Sequence, residues 1–135
     1  MVTFPYLRKG AVYFPVVDVT FAIPAHAQPL IVKALVDSGA SFSVFRAEIL
    51  DYLGIKLERG PRLYLEDIGG RILGYLHHLP VRVSTTAFSL AVVFSRELSV
   101  SFNLLGRDNF FRHFLITFDE LGRTVRLRPY QRLGL

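Results

Sequence analysis

The residues best suited to chemistry are Asp37-Ser38-Gly39-Ala40, which follow directly on the apolar run Leu30-Ile31-Val32-Lys33-Ala34-Leu35-Val36. A strand of that kind delivers one carboxylate into a tight turn. Ser38 can donate and accept hydrogen bonds there, and Gly39 permits a close approach that a Cβ would forbid. The four residues have two readings. Asp-Ser-Gly suits any turn, and it also suits a carboxylate placed for acid–base work.

Rival chemistries find little support. The chain has no cysteine, which excludes disulfides, thiolate metal sites and cysteine nucleophiles together. Its histidines are His26, His77, His78 and His113. His77 and His78 are neighbours, so on a strand they face opposite sides and cannot share a metal. No nucleophile-elbow pattern accompanies a serine. Gly69-Gly70 lacks the Lys-Ser/Thr and following helix of a phosphate loop. Asp18, Asp67 and Asp119 read as turn or surface residues, and the phenylalanines between Phe94 and Phe118 as core or interface aromatics.

The elements that must hold Asp37 are short and β-like. Val12 to Phe21 is β-branched and aromatic, with Pro15 marking an edge or a strand start. Arg62–Ile68 and Arg71–Leu76 flank Gly69-Gly70, which reads as a hairpin with positive φ at its tip. Leu79–Val83 and Phe88–Phe94 form a further strand pair, Phe102–Leu105 a short strand ending at Gly106, and Phe114–Phe118 with Thr124–Leu127 a last hairpin around Asp119–Gly122. Helical spacing is confined to Arg46–Leu53, closed by Gly54, and to a brief turn over Arg107–Arg112. With no linker or repeat, residues 1–135 read as one mostly-β domain with one or two short helices.

The strand followed by Asp37-Ser38-Gly39-Ala40 resembles the retropepsin-like aspartic proteases. Phe102-Asn103-Leu104-Leu105-Gly106-Arg107-Asp108 is similar to that family's second signature, two apolar residues and then Gly-Arg-Asp/Asn opening a short helix. The glycine-tipped hairpin falls between the two, where the family has its flap, and Leu104–Pro129 looks most like bacterial members. The resemblance implies an all-β closed barrel and an aspartic endopeptidase. One chain carries one such loop, so Asp37 would meet the Asp37 of a second copy in a homodimer. Two close carboxylates share one proton; the ionised one activates water and the protonated one bonds the scissile carbonyl, so no metal or cofactor is expected. The resemblance further implies that Ser38 locks the two loops together and that Gly39 holds substrate backbone. Ala40, Phe42, Ile68, Gly69 and Gly70 would line the pocket and flap over an extended peptide, and Gly106, Arg107 and Asp108 would form the structural second signature. Two departures from viral members stand out. Ser41 replaces an aspartate that would pair with Arg107, which must then find another partner, the backbone or Asp108. The ends of the chain, Met1–Ala11 and Tyr130–Leu135, differ in length from interleaving viral termini.

Composition narrows the partners. The chain is 51% hydrophobic, with a mean hydropathy of +0.36, yet has no apolar stretch near the ~18 residues of a membrane helix. Excess apolarity without a membrane span points to a buried interface between copies. No signal-like apolar region precedes Arg8 and Lys9, which with the absent span favours the cytoplasm. The net charge of +5 comes mostly from scattered arginines. In Arg126-Leu127-Arg128 charge alternates with an apolar residue, the period of a strand with one solvated face. Nucleic acid is therefore not the expected partner, though a basic nucleic-acid-binding barrel stays open as a third reading. The second reading is a catalytically silent module of the same fold that grips peptides or scaffolds other proteins.

Overall fold

In a computed structural model, residues 1–21, 28–67 and 69–131 are described, Asp67 by its backbone alone. The strands are β1 (Val2–Pro5), β2 (Leu7–Lys9), β3 (Val12–Phe14), β4 (Val16–Phe21), β5 (Leu30–Val36), β6 (Ser43–Arg46), β7 (Arg62–Asp67), β8 (Gly70–Val83), β9 (Thr86–Ser95), β10 (Asn103–Leu105), β11 (Phe114–Asp119) and β12 (Thr124–Pro129). The helices are α1 (Glu48–Leu53) and α2 (Phe110–His113), with a 3-10 turn at Leu57–Arg59. The mostly-β class with two short helices is as expected. No helix among the described residues is long and apolar enough to cross a membrane.

Seven strands form the main sheet in the order β4-β5-β10-β6-β9-β8-β7, and β4 also pairs with β8 through Thr20–Arg82 and Phe21–Val81. The sheet thus turns back on itself. Pairing is parallel where β10 meets β5 and where β6 meets β9, because each of these pairs is joined by a long connection rather than a hairpin. A second sheet of three strands, β1-β12-β11, joins the start of the chain to its end. Residues Met1–Ala11, read from sequence as an extension, contribute β1 and β2.

The core explains the elements. Val16, Val17, Val19 and Phe21 of β4 are buried, and Phe21, Phe45 and Phe94 meet edge to face with ring centroids 5.9 and 6.2 Å apart. Leu50 and Leu53 turn α1 onto this core and Gly54 ends the helix. Burying such aromatic and branched side chains stabilises by about 1.5–3 kcal/mol each. A smaller cluster of Val44, Ile72, Val93 and Leu98 lies apart under the β7–β8 hairpin, with Leu63 and Leu65 packed on it.

Three expectations need correction in detail. Pro15 splits Val12–Phe21 into β3 and β4, having no N–H to continue the ladder. Arg71–Leu76 and Leu79–Val83 are one strand, β8. Arg46 ends β6 rather than opening a helix; its guanidinium donates to the carbonyls of Leu98 and Val100.

Candidate active site

Two segments far apart in sequence cross at Asp37. Because β5 and β10 run parallel, with Leu35 beside Leu104 and Val36 beside Leu105, the loop leaving β5 and the loop leaving β10 emerge side by side. Backbone hydrogen bonds then tie them. Asp37 N–H donates to Leu105 O (3.0 Å), Arg107 N–H to Ala40 O (2.9 Å) and Asp108 N–H to Ser41 O (2.8 Å). Gly106 N–H donates to the hydroxyl oxygen of the fully buried Ser43 (3.0 Å). Gly106 is glycine for want of room: a Cβ there would lie 2.3 Å from Phe42 O and 2.9 Å from Ala40 O. The second signature is thus the other half of the mount that holds the first.

Within the first loop, Gly39 N–H donates to Asp37 Oδ1 (2.9 Å) and Ala40 N–H to Asp37 O (3.2 Å), a closed turn around the carboxylate. A Cβ on Gly39 would stand 3.3 Å from Asp37 Oδ1. Asp37 is half-buried, while Ser38 and Gly39 are exposed. A carboxylate that accepts one local N–H and faces solvent on its free side keeps lone pairs for a ligand or a second carboxyl group.

Two hollows flank this turn. On one side a cleft of about 350 Å3 is lined by Gly39, Ala40, Ser41, Phe42, Val44 and Leu104 below and by Tyr64, Leu65 and Glu66 of β7 above. On the other, Asp37 and Ser38 open on a hollow of about 390 Å3 with Phe14, Pro15, Leu35, Val36, Phe118 and Glu120. The Glu120 carboxylate is held by Tyr6, whose hydroxyl donates to Oε1 (2.9 Å). Burial first, and then this carboxylate, push the Tyr6 phenol up to about 12.

Asp37, Ser38, Gly39, Ala40, Phe42, Gly106, Arg107 and Asp108, all singled out from sequence, therefore lie at one crossing. Gly69 and Gly70 form the turn of the β7–β8 hairpin, Gly70 with φ +122°, but do not line the cleft. Ile68 lies outside the described residues, as does His26. With Ser41 before it, the Arg107 guanidinium makes no ion pair among the described residues, and Asp108 faces Arg112 instead (3.7 Å). Sequence reasoning missed Ser43, Tyr64, Glu66, Phe118 and Glu120. Only the alternate positions of Tyr64 and Glu66 on a hairpin strand could have signalled two of them. His77 is buried beside Phe94 and bonds Leu57 O (2.9 Å), while His78 is exposed. Among the described residues no group of three or more His, Asp or Glu could hold a metal ion.

No protein-family model and no curated protein matches the sequence. Among solved structures, the chain is similar to a retropepsin-like aspartic protease from Rickettsia conorii, with a TM-score of 0.66 and 16% identity over 93% of this chain and 98% of that one. At that identity the likeness is one of fold, and it extends over nearly the whole of both chains. The mostly-β architecture described above is a retropepsin-like fold.

Proposed function

We propose that the chain is an aspartic endopeptidase that works as a homodimer, each copy supplying Asp37. The observation that carries this reading is the crossing itself: one carboxylate, mounted by backbone bonds from two loops, stands between a peptide-sized cleft and an open hollow. The fold likeness supports it. With a second copy across a two-fold axis, the two carboxyl groups would come too close for both to ionise, and the pair would share one proton. The ionised oxygen takes a proton from water as that water attacks the scissile carbonyl. The protonated partner donates its hydrogen bond to the carbonyl oxygen as negative charge gathers there. As the carbon–nitrogen bond breaks, the proton taken from water passes to the leaving nitrogen, the carbonyl re-forms, and the dyad is left with its one shared proton.

The substrate on this reading is an extended peptide bound along Gly39–Phe42 and covered by β7. Gly39 offers backbone contact, Ser38 steadies the facing loops, and Phe42 with Tyr64 and Leu65 meets apolar side chains. The hairpin turn at Gly69-Gly70 closes over the peptide and excludes water on this reading. The test is cleavage of a mixed peptide library from about pH 3 to pH 8, with mass in solution measured alongside. Cleavage by a dimer, lost in Asp37→Asn, is the expected result. A strict monomer that cleaves, or a stable dimer that cleaves nothing, overturns the reading, and the second outcome favours a silent peptide-gripping module.

A further inference from the structure

Ser41 lines two hollows at once. It belongs to the cleft below β7, and also to a neighbouring hollow of about 370 Å3 formed with Arg107, Asp108, Phe111 and Arg112. The two hollows meet at Ser41, so a chain lying along the loop from Gly39 past Ser41 would come upon Arg107 and Arg112. Their charges are not balanced. Asp108 faces Arg112 at 3.7 Å, Ser41 is neutral, and Arg107 has no ion pair among the described residues. The Arg107 backbone is fixed, its N–H donating to Ala40 O (2.9 Å), while its side chain is exposed. The hollow therefore keeps one uncompensated positive charge on a rigid base, and Phe111 offers an apolar surface to the methylenes of an incoming side chain.

We infer that this hollow is a subsite for a carboxylate carried by the bound peptide, read by Arg107 with Arg112 beside it. It sits beyond the cleft residues nearest Asp37, so it selects at a position removed from the scissile bond. Guanidinium suits the task because its fork can meet both carboxylate oxygens together. The inference rests on the cleft being a peptide site, and extends that reading to substrate class. The +5 net charge of the chain acts in the same direction by drawing acidic chains toward it.

The test uses the Asp37→Asn chain, which would hold peptides uncleaved. Fluorescently labelled apolar host peptides carry a single Glu, Gln or Lys walked through successive positions, each with a free or an amidated C-terminus. At one position Glu should bind about three- to five-fold tighter than Gln, the range for a single exposed pair. Lys should bind weakest there. The Glu advantage should shrink in high salt and vanish in Arg107→Gln, whose exposed side chain makes no ion pair among the described residues. An advantage confined to peptides with a free C-terminus would also support the subsite and identify its carboxylate as terminal. No charge preference at any position, no binding, or a preference that survives Arg107→Gln overturns the inference. Cleavage of the same peptides by the wild-type chain separates the two readings. Cleavage with no Arg107-dependent preference removes the subsite and leaves the peptidase, whereas Arg107-dependent binding without cleavage removes the peptidase and leaves the subsite.

Discussion

The Asp37 crossing and the β7–β8 hairpin above it bound the same cleft but are built on opposite principles. The crossing stands on the main core: Val36 and Leu105, the residues just before the two loops, are both buried members of it. Three backbone bonds and the Ser43 hydroxyl then tie loop to loop. The hairpin rests instead on the separate cluster of Val44, Ile72, Val93 and Leu98, and beyond it runs to a glycine turn where a Cβ on Gly69 or Gly70 would meet nothing within 4 Å among the described residues. The difference teaches where each demand is met. On the proposed reading, the carboxylate to be positioned to a fraction of an ångström sits on the over-determined element, and the wall that would admit a peptide is a lever with its own small footing.

That contrast can be broken from either side. The largest effect belongs to Asp37→Asn, which should lower cleavage at least about a thousandfold, since groups acting as a unit fail together. Its thermal unfolding midpoint should stay within a few degrees of wild type, as read by circular dichroism. Gly106→Ala should cost about 3 kcal/mol in a denaturant titration, because the new methyl would meet backbone atoms that no rotamer change can clear. A wild-type midpoint for that variant would mean the crossing is looser than its hydrogen bonds imply. Ser43→Ala, leaving the buried Gly106 N–H without its acceptor, should cost about 2 kcal/mol by the same titration.

On the lever, Gly70→Ala meets no neighbour but must hold a Cβ at φ +122°. It should cost about 1 kcal/mol while changing peptide capture rates more than global stability. Equal losses at Gly70 and Gly106 would erase the distinction between the two regions. A tie outside both supplies the smallest effect. The Tyr6 phenol, held by Glu120, loses its proton only near 12, against 10.0 for an ordinary tyrosine. Since the folded value is the raised one, its contribution is whole below pH 10 and drains between pH 10 and 12. Tyr6→Phe should flatten that part of the alkaline unfolding curve.

How much of this was legible in the sequence depended on whether the deciding contacts are local. β5 was readable residue for residue, since Leu30–Val36 is an apolar run broken only at Lys33 and stopped by a turn. Gly106 stood out by its place after Leu104-Leu105, although the reason for it, the backbone of Phe42 pressing against it, exists only in three dimensions. β6 was missed because Ser43-Val44-Phe45-Arg46 is too short for any period to show. The hairpin was legible, but its tip drew the attention that the strand body merits: Tyr64, Leu65 and Glu66 line the cleft. Phe118 and Glu120 reach the Asp37 hollow from some eighty residues away, and no local pattern announces such a meeting.

The pairing of β1 with β12 has a consequence for how the protein is made. Val2 lies against Leu127 and Pro5 against Thr124, while Tyr6 donates its N–H to Arg123 O (2.8 Å) and its hydroxyl to Glu120. During synthesis β1 thus waits for a strand made more than a hundred residues later. Until β12 has emerged, β1 lacks its neighbour and the Glu120 side of the Asp37 hollow does not exist. Such distant pairings make folding slow and its completion late. A nascent chain stopped before β12 would carry Asp37 without the finished surroundings of its hollow, so that the order of synthesis itself withholds them until β12 is free.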